Sequence, residues 1–388
     1  MKKINIGLFV DTYYPMIDGV IVVVDNYAKR LAKWANVYVF APLIPKKKND
    51  DSKYNYKVIR CKSINVVGID YSLPLPDIDK KIKEKISECN LDIIHIHSPV
   101  TIGNIALKYA KKHNIPVVAT MHSQYKQDFM RATKSEKVSN ILIKHIIKLF
   151  NSCDECWTMN NEVARIFKEE YGYKKEPILI NNATEMQPIN NKELSNRIIN
   201  EKYNIGNEKV LIFVGRINKL KNIELIVNSL KEVKKINYKM FFVGAGQDEE
   251  FLKKIIIKNN LKDKIILLGK ITDREELAKY YARADLQLFP SLYDTNALVQ
   301  IEAASQHTPT LFVENSATSC NITDGENGFI AKNNVKDYAR KIEEILLDES
   351  KLKEVSENAF RDLYINWDQE VERIYNKYIE IIERKTKK

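Results

Sequence analysis

The sequence predicts an α/β protein built from two doubly wound domains, each with a parallel sheet. Short apolar runs rich in β-branched and aromatic residues alternate with longer amphipathic stretches in both halves of the chain. Continuous apolar runs are typical of strands that are buried on both faces, as in a parallel sheet. Alternation of strands and helices gives α/β domains with right-handed crossovers. A length of 388 residues is consistent with two to three domains.

The order of the elements supports a division into two similar halves. The first half contains the strand-like runs INIGLFV, NVYVFAP, DIIHIH, IPVVATM and PILIN. The second half contains KVLIFVG, YKMFFVG, KIILLG, DLQLFP and TPTLFV. A polar segment with proline and asparagine, residues 184–207, separates them. We therefore predict domains at 1–185 and 186–364, and a last helix within 365–388. This helix can pack on either domain, and we assign it to the first.

Composition limits the classes of function. The net charge is +11 with a pI of about 9.1, which favours nucleic acid, anionic membrane or phosphate-bearing substrates as partners. The sequence has none of the common nucleic-acid-binding signatures, so nucleic acid is the weakest of the three. The first apolar run is too short for a signal peptide, and no run reaches the ~20 residues of a membrane span. We expect a cytoplasmic protein.

The cysteines do not suggest a framework of disulfides. The chain has five, and they are scattered. Cys153 and Cys156 form a single CxxC without a second pair or a histidine at zinc spacing. We expect a structural role for this motif rather than a redox or metal-binding role.

The segment from Pro290 to Pro309 carries two acids that suit a polar ligand. Asp294 lies in a loop, eight residues before Glu302 in an apolar helix. A buried carboxylate is costly unless it is paired or hydrogen-bonded. Glu302 is therefore either satisfied by the backbone or a basic partner, or it accepts hydrogen bonds from ribose hydroxyls. We favour the ribose, because buried ionisable groups tend to mark sites.

Cations follow the first strand of the second half. Arg216 and Lys221 lie close to the start of a helix, and together with its free N–H groups they suit a diphosphate.

Gly244 and Gly246 form another strand-to-helix turn, for which a tight turn is the simpler explanation. The turn is not a dinucleotide fingerprint, because Glu249 occupies the position of the third glycine.

In the first half, a glycine and several histidines occur at strand or helix ends. Gly19 lies at a helix start, where a ligand can approach the backbone closely. His122 follows a strand, at the edge of the sheet where α/β proteins bind ligands. Of His95 and His97, we expect one to face the other domain and one to be packed. No acidic partner lies at ligand spacing, so we predict no metal site.

With these motifs in this order, the chain resembles the family 4 retaining glycosyltransferases of the GT-B fold over essentially its whole length. The matching segments are DTYYPMIDGV, IIHIHSPVTIGNIAL, IPVVATMHSQY, VGRINKLKN, VGAG, ADLQLFPS, the Asp294-to-Glu302 stretch and TDGENGF. The patterns YxPxxDGV and HSPxxxG are similar to those of diacylglycerol glucosyltransferases and phosphatidylinositol mannosyltransferases. The GT-B fold implies two Rossmann-like domains facing across a cleft, with the acceptor on the first and the nucleotide sugar on the second.

The resemblance implies catalytic roles for four residues. His122 would contact the transferred sugar, and Asp294 would contact its hydroxyls. Arg216 and Lys221 would hold the diphosphate and stabilise the charge of the leaving group. The family transfers with retention and needs no metal or other cofactor. The implied donor is a nucleoside-diphosphate hexose, preferably a UDP-sugar, and the acceptor is a lipid or a cell-envelope polysaccharide.

The resemblance also implies further contacts with the donor. Gly19 would lie against the diphosphate, and Glu302 would bind the ribose. The remaining substrate-binding residues would be Gly215, Gly244, Asn296, Ala297 and Leu298.

Several positions depart from the family pattern. Asp18 replaces the first glycine of a pair, Asp294 replaces glutamate, and Ala297 and His307 each replace a glycine. The segment NNAT at 181–184 replaces Asn-Gly. These departures make the identity of the sugar the least transferable property. Alternative functions are a sugar-nucleotide epimerase or phosphorylase-like enzyme of the same architecture, and a non-catalytic subunit that binds sugar nucleotides.

Residues 132–150 predict a basic amphipathic helix. Its apolar residues recur at helical spacing, and four lysines share the remaining surface. Such a helix can lie on anionic lipid at the inner face of the cell membrane. The alternative is an ordinary helix with one face in the core and lysines in solvent. A lipid acceptor would account for membrane contact.

Overall fold

A computed structural model describes most of the chain, namely residues 3–16, 18–47, 49–65, 72–292, 294 and 298–387. The chain divides into two compact units, one formed by residues 1–181 and 367–388 and the other by residues 182–366. The division after Asn181 lies slightly earlier than the predicted one at 185.

The first unit is built on a parallel sheet of seven strands in the order β3-β2-β1-β6-β7-β8-β9. Its strands are β1 (Asn5–Phe9), β2 (Asn36–Pro42), β3 (Lys57–Cys61), β4 (Ser63–Asn65), β5 (Ser72–Pro74), β6 (Ile93–Ile96), β7 (Val117–Met121), β8 (Glu155–Thr158) and β9 (Ile178–Leu179). Strands β4 and β5 form a separate antiparallel pair that the sequence pattern did not predict. The strand order reverses between β1 and β6, which is where doubly wound sheets bind ligands.

Helices cover the first sheet and bury its apolar residues. They are α1 (Gly19–Leu31), α2 (Lys80–Glu88), α3 (Ile102–His113), α4 (Tyr125–Thr133), α5 (Glu136–Asn151) and α6 (Asn161–Arg165), the last continued by a π-helical turn, Ile166–Glu170. The predicted helix over 132–150 is thus α5, which begins after Ser135. The Ser135 side chain accepts a hydrogen bond from the Val138 N–H and caps the helix.

The second unit repeats the architecture with six parallel strands in the order β12-β11-β10-β13-β14-β15. The strands are β10 (Lys209–Val214), β11 (Tyr238–Val243), β12 (Ile265–Gly269), β13 (Leu286–Leu288), β14 (Thr310–Val313) and β15 (Phe329–Ala331). The helices are α7 (Lys192–Tyr203), α8 (Ile223–Glu232), α9 (Glu249–Lys258), α10 (Arg274–Arg283), α11 (Leu298–Ser305), α12 (Val335–Leu347) and α13 (Glu349–Leu363). The strand order reverses between β10 and β13, so the carboxyl end of β10 is the expected ligand position.

The last helix, α14 (Trp367–Thr386), belongs to the first unit. Trp367 packs edge-on against Tyr27 of α1, with ring centroids 5.8 Å apart. Lys385 pairs with Asp154 at 2.7 Å near the other end of the helix. Aromatic packing and ion pairs therefore hold the helix along its whole length.

Candidate active site

The turns after β10 and β11 are joined through their backbones. The Gly215 N–H donates to the Val243 carbonyl at 3.0 Å, and the Ile217 N–H donates to the Ala245 carbonyl at 3.1 Å. Gly244 has a φ of +141°, and a Cβ at this position would lie 1.8 Å from the Gly215 carbonyl oxygen. Close approach of two backbones therefore explains the glycine at 244. Its predicted contact with the substrate stays a prediction.

The two predicted phosphate-binding cations lie just beyond β10. Arg216 is exposed and forms no ion pair with the residues that the structure describes. Lys221 closes a 3₁₀ turn that Asn218 begins, and the Asn218 side chain accepts a hydrogen bond from the Lys221 N–H at 3.2 Å. Both cations therefore lie where the sequence predicted them, at the carboxyl end of β10. This strand is next to the reversal of strand order.

Lys221 and Asp294 form an ion pair. The Lys221 Nζ lies 2.5 Å from one Asp294 carboxylate oxygen and 2.6 Å from the other. Their side chains are 16% and 19% exposed, so solvent screens the pair only weakly. The structure therefore brings together two of the four predicted catalytic residues, which lie 73 positions apart in the chain.

Glu302 has two side-chain partners whose identity the sequence did not indicate. It lies on α11, is 6% exposed, and accepts hydrogen bonds from the Arg274 guanidinium and from the Tyr281 hydroxyl, the latter at 3.3 Å. Burial, reinforced by the Glu302 carboxylate, raises the pKa of Tyr281 well above its ordinary value, so Tyr281 remains a neutral donor. The basic partner considered from the sequence is thus present. The predicted ribose contact stays a prediction.

Three more predicted residues follow Asp294. Asn296 and Ala297 lie outside the described residues. Leu298 begins α11 and is half-buried. Of this predicted loop, the structure therefore describes Asp294 and the residues from Leu298 onward.

Two departures from the family pattern have local structural explanations. Asp18 caps α1, because its carboxylate accepts a hydrogen bond from the Ile21 N–H at 2.9 Å. His307 has a φ of +58°, in the left-handed region that favours glycine. Its ring stacks on Phe360 with centroids 4.2 Å apart, which helps to offset the backbone cost.

Gly19 is the first residue of α1 and borders open space. A Cβ built on Gly19 would meet no atom of the described residues within 4 Å. Packing within the protein therefore does not require glycine here, in contrast to Gly244. The predicted contact of Gly19 with the donor diphosphate stays a prediction.

The histidines of the first unit form a cluster. The rings of His95 and His97 lie 3.9 Å apart, and both side chains are fully buried. The prediction that one is packed and the other faces the other domain was wrong, because the two rings contact each other and both are buried, with His95 in β6 and His97 directly after it. The His97 Nδ1 lies 3.0 Å from the His122 Nε2. His122 therefore rests against a buried partner.

Asp11 organises the same edge of the sheet and was not predicted from the sequence. It follows β1, and its carboxylate accepts hydrogen bonds from the Thr101 hydroxyl at 2.6 Å and the Ile102 N–H at 2.8 Å. It thereby caps the first turn of α3 and ties that helix to β1. The sequence feature that could have indicated Asp11 is an acidic residue shortly after a predicted strand.

The buried histidines predict an acid-sensitive fold. Burial lowers the pKa of His95 and His97 well below the ordinary value, so the unfolded chain binds more protons below pH 6.5. Their stabilisation is complete above that pH and is lost as the pH falls. Each histidine contributes up to about 1.4 kcal/mol per pH unit to the slope. We expect His97→Asn to reduce this slope in urea unfolding between pH 7 and 4.5.

The exposed His113 provides a matched control for the acid prediction. His113→Gln should leave the pH dependence of the unfolding free energy unchanged. Equal slopes in His97→Asn and in the unchanged protein would contradict the prediction.

Comparison with known proteins identifies the class of protein to which the chain belongs. The family model "Glycosyl transferases group 1" matches residues 195–362, and "Glycosyltransferase Family 4" matches residues 17–184. The fold resembles those of sucrose-phosphate synthase from Thermosynechococcus elongatus and Anabaena HepE in complex with UDP, each with a TM-score of 0.80. The alignments cover 98% and 97% of this chain and all of the other chain, at 18% and 13% identity. The protein is a glycosyltransferase of the GT-B fold.

The family follows from the same comparisons. The chain is 28% identical to the alpha-monoglucosyldiacylglycerol synthase of Acholeplasma laidlawii over 99% of both chains. It is 26% identical to the Streptococcus pneumoniae enzyme of the same name, over 79% of this chain and 70% of the other. The chain belongs to the family 4 glycosyltransferases. The predictions of fold, family and enzyme class are therefore confirmed.

Proposed function

We propose that the protein transfers a hexose, with retention, from a nucleoside-diphosphate sugar to a lipid acceptor. The observation that carries the proposal is the pair Lys221–Asp294 beside the exposed Arg216 at the carboxyl end of β10. UDP is the preferred nucleotide, since HepE was solved with UDP and with UDP-glucose. Relatives named for monoglucosyldiacylglycerol favour a lipid over a polysaccharide.

The ion pair suggests how the donor is accommodated. A diphosphate is the stronger partner for Lys221, so its arrival would draw the ammonium from Asp294. The carboxylate would then accept hydrogen bonds from sugar hydroxyls. In the same way, ribose hydroxyls would share Glu302 with Arg274, whose side chain is 45% exposed and can move toward solvent.

The proposed chemistry needs charge stabilisation more than a protein base. Arg216 and Lys221 would offset the charge that develops on the leaving diphosphate. The acceptor hydroxyl would attack from the side of the leaving group and pass its proton to a phosphate oxygen. We propose that no metal is required, so transfer should survive a chelator.

A donor panel tests the proposal. The protein is incubated with several nucleotide sugars, with and without diacylglycerol in mixed micelles, and nucleotide release is measured with and without EDTA. We expect release that depends on lipid, and a product whose anomeric configuration matches the donor. An epimerase would change the sugar nucleotide without acceptor. Nucleotide binding without turnover would indicate a non-catalytic subunit.

Helix α5 is the proposed contact with the membrane. Ile146 and Leu149 face the core, but Val138 is 43% exposed and Ile141 is 66% exposed. Exposed lysines flank these residues along the helix, namely Lys137, Lys144 and Lys148. Among the described residues no helix is long and apolar enough to cross a bilayer. We therefore propose peripheral binding to anionic lipid at the inner face of the cell membrane.

Replacing Ile141 by glutamate should weaken binding to phosphatidylglycerol vesicles by about tenfold, because an apolar contact is lost and an opposing charge is added. Sedimentation with vesicles measures the effect. Ile257→Glu is the control, since Ile257 is also exposed but lies on α9 of the second unit. Equal binding of the two variants would contradict the membrane role of α5.

A further inference from the structure

The ring of His97 is enclosed by aromatic side chains. The centroid of His95 lies 3.9 Å away, and that of His122 lies 5.3 Å away. Tyr27 of α1 meets His97 edge-on, with centroids 5.6 Å apart. Because close-packed interiors leave little room for rotation, this enclosure holds the ring in one orientation.

The environments of the two ring nitrogens of His97 favour one tautomer. Its Nδ1 lies 3.0 Å from the His122 Nε2, while its Nε2 is buried without a hydrogen-bond partner among the described residues. A neutral imidazole has one N–H donor and one acceptor nitrogen. Among buried backbone groups, unpaired N–H donors are rarer than unpaired acceptors, and the same preference is expected for a buried imidazole. The proton of His97 therefore belongs on Nδ1, from which it donates to His122.

The C-terminal helix supports this arrangement from behind. The His95 Nδ1 lies 2.5 Å from the Tyr378 hydroxyl, and its Nε2 lies 2.7 Å from the Thr120 hydroxyl. Tyr378 belongs to α14 and stacks on Trp157 with centroids 5.7 Å apart. Both nitrogens of His95 are thus engaged, and the ring on which His97 rests is held in place.

We propose that His97 is a positioning residue that holds the His122 imidazole in its Nδ1–H tautomer, with α14 supporting it through His95. The Nε2 of His122 accepts from His97, so the ring can donate to a sugar hydroxyl only through Nδ1. The assignment of His122 to the sugar rests on the proposed function. The tautomer of His122 does not rest on the proposed function, because it is measured on the protein without substrate.

The first test is a two-bond ¹⁵N–¹H correlation spectrum of the protein labelled with ¹⁵N at histidine. The signals of His122 are identified by their loss in His122→Asn. We expect the Nδ1–H pattern for His122 in the unchanged protein and in His97→Asn, whose side-chain amide can donate from nearly the same position as Nδ1. In His97→Ala the share of the Nδ1–H tautomer of His122 should fall. An Nε2–H tautomer of His122 in the unchanged protein would overturn the proposal.

The second test is kinetic. With the best donor and a lipid acceptor, His97→Ala should lower kcat on the order of tenfold or more at an unchanged donor KM, since supporting groups typically contribute 10- to 100-fold. His97→Asn should recover most of the loss. An equal loss in both variants would overturn the donor role of His97. If the protein transfers no sugar at all, the proposed function fails, and the spectra still decide the tautomer.

The third test concerns α14. Tyr378→Phe removes the hydroxyl that binds His95, and it should lower kcat several-fold and broaden or shift the His122 signals. Tyr375→Phe is the matched control on the same helix, where Tyr375 packs against Trp34. Equal kcat and equal spectra for the two variants would overturn the supporting role of α14.

Discussion

We expect Arg216→Ala to lower kcat of sugar transfer by about two to three orders of magnitude. The guanidinium is an exposed cation at the carboxyl end of β10, where the leaving diphosphate would bind. Its removal takes away a charge that acts on the transition state, so kcat should fall more than the affinity for the nucleotide. Because Arg216 has no ion pair with a described residue, the free energy of unfolding should change little.

Two further variants sharpen the Arg216 experiment. Arg216→Lys should recover only part of the activity, because lysine lacks the planar fork that binds phosphate through two hydrogen bonds. Lys219→Ala is the control, since the Lys219 Nζ lies over the Phe251 ring at 4.4 Å in the same loop. A similar kcat for Arg216→Ala and Lys219→Ala would contradict the assignment of Arg216.

We expect Gly244→Ala to destabilise the fold by about 3 kcal/mol or more. The new Cβ would lie 1.8 Å from the backbone oxygen of Gly215, and the φ of +141° is rarely adopted by other residues. A backbone atom cannot move aside as a flexible side chain can, so the two turns must separate. Urea unfolding, or loss of folded protein on expression, measures the effect.

Gly19→Ala is the matched comparison for Gly244→Ala. Among the described residues no atom lies within 4 Å of the added methyl group, and alanine favours the helix that begins there. Its unfolding free energy should therefore stay equal or rise, whereas binding of the donor nucleotide should weaken if the diphosphate lies against Gly19. Unchanged donor binding would contradict the role of Gly19, and an unchanged stability of Gly244→Ala would contradict the packing argument.

The fold was predictable because its signals are local and repeated. The buried run KVLIFVG and the amphipathic segment REELAKYYARA have the burial and period of a strand and a helix, and they form β10 and α10. The small pair β4–β5 was missed, because three-residue strands leave too short a pattern. The positions of Arg216 and His122 were predictable for a related reason, since the carboxyl ends of parallel strands share one edge.

The partners of the site residues were not predictable in the same way. Glu302 meets Arg274 and Tyr281 of α10, and nothing in the spacing of these residues indicates that contact. His97 and His122 follow different strands, and their contact depends on the parallel pairing of β6 with β7. Each partner comes from a separate element, so its identity depends on how the elements pack.

By itself, the sequence determined the two α/β sheets, the edge of each sheet at which ligands are expected to bind, and the family, because burial patterns and the order of motifs are properties of the chain alone. Only the tertiary structure decided that Lys221 pairs with Asp294, that Arg274 donates to Glu302, and that His97 contacts His122. The physical reason is that a hydrogen bond or an ion pair requires contact within a few ångströms. That contact is set by the packing of residues distant in sequence.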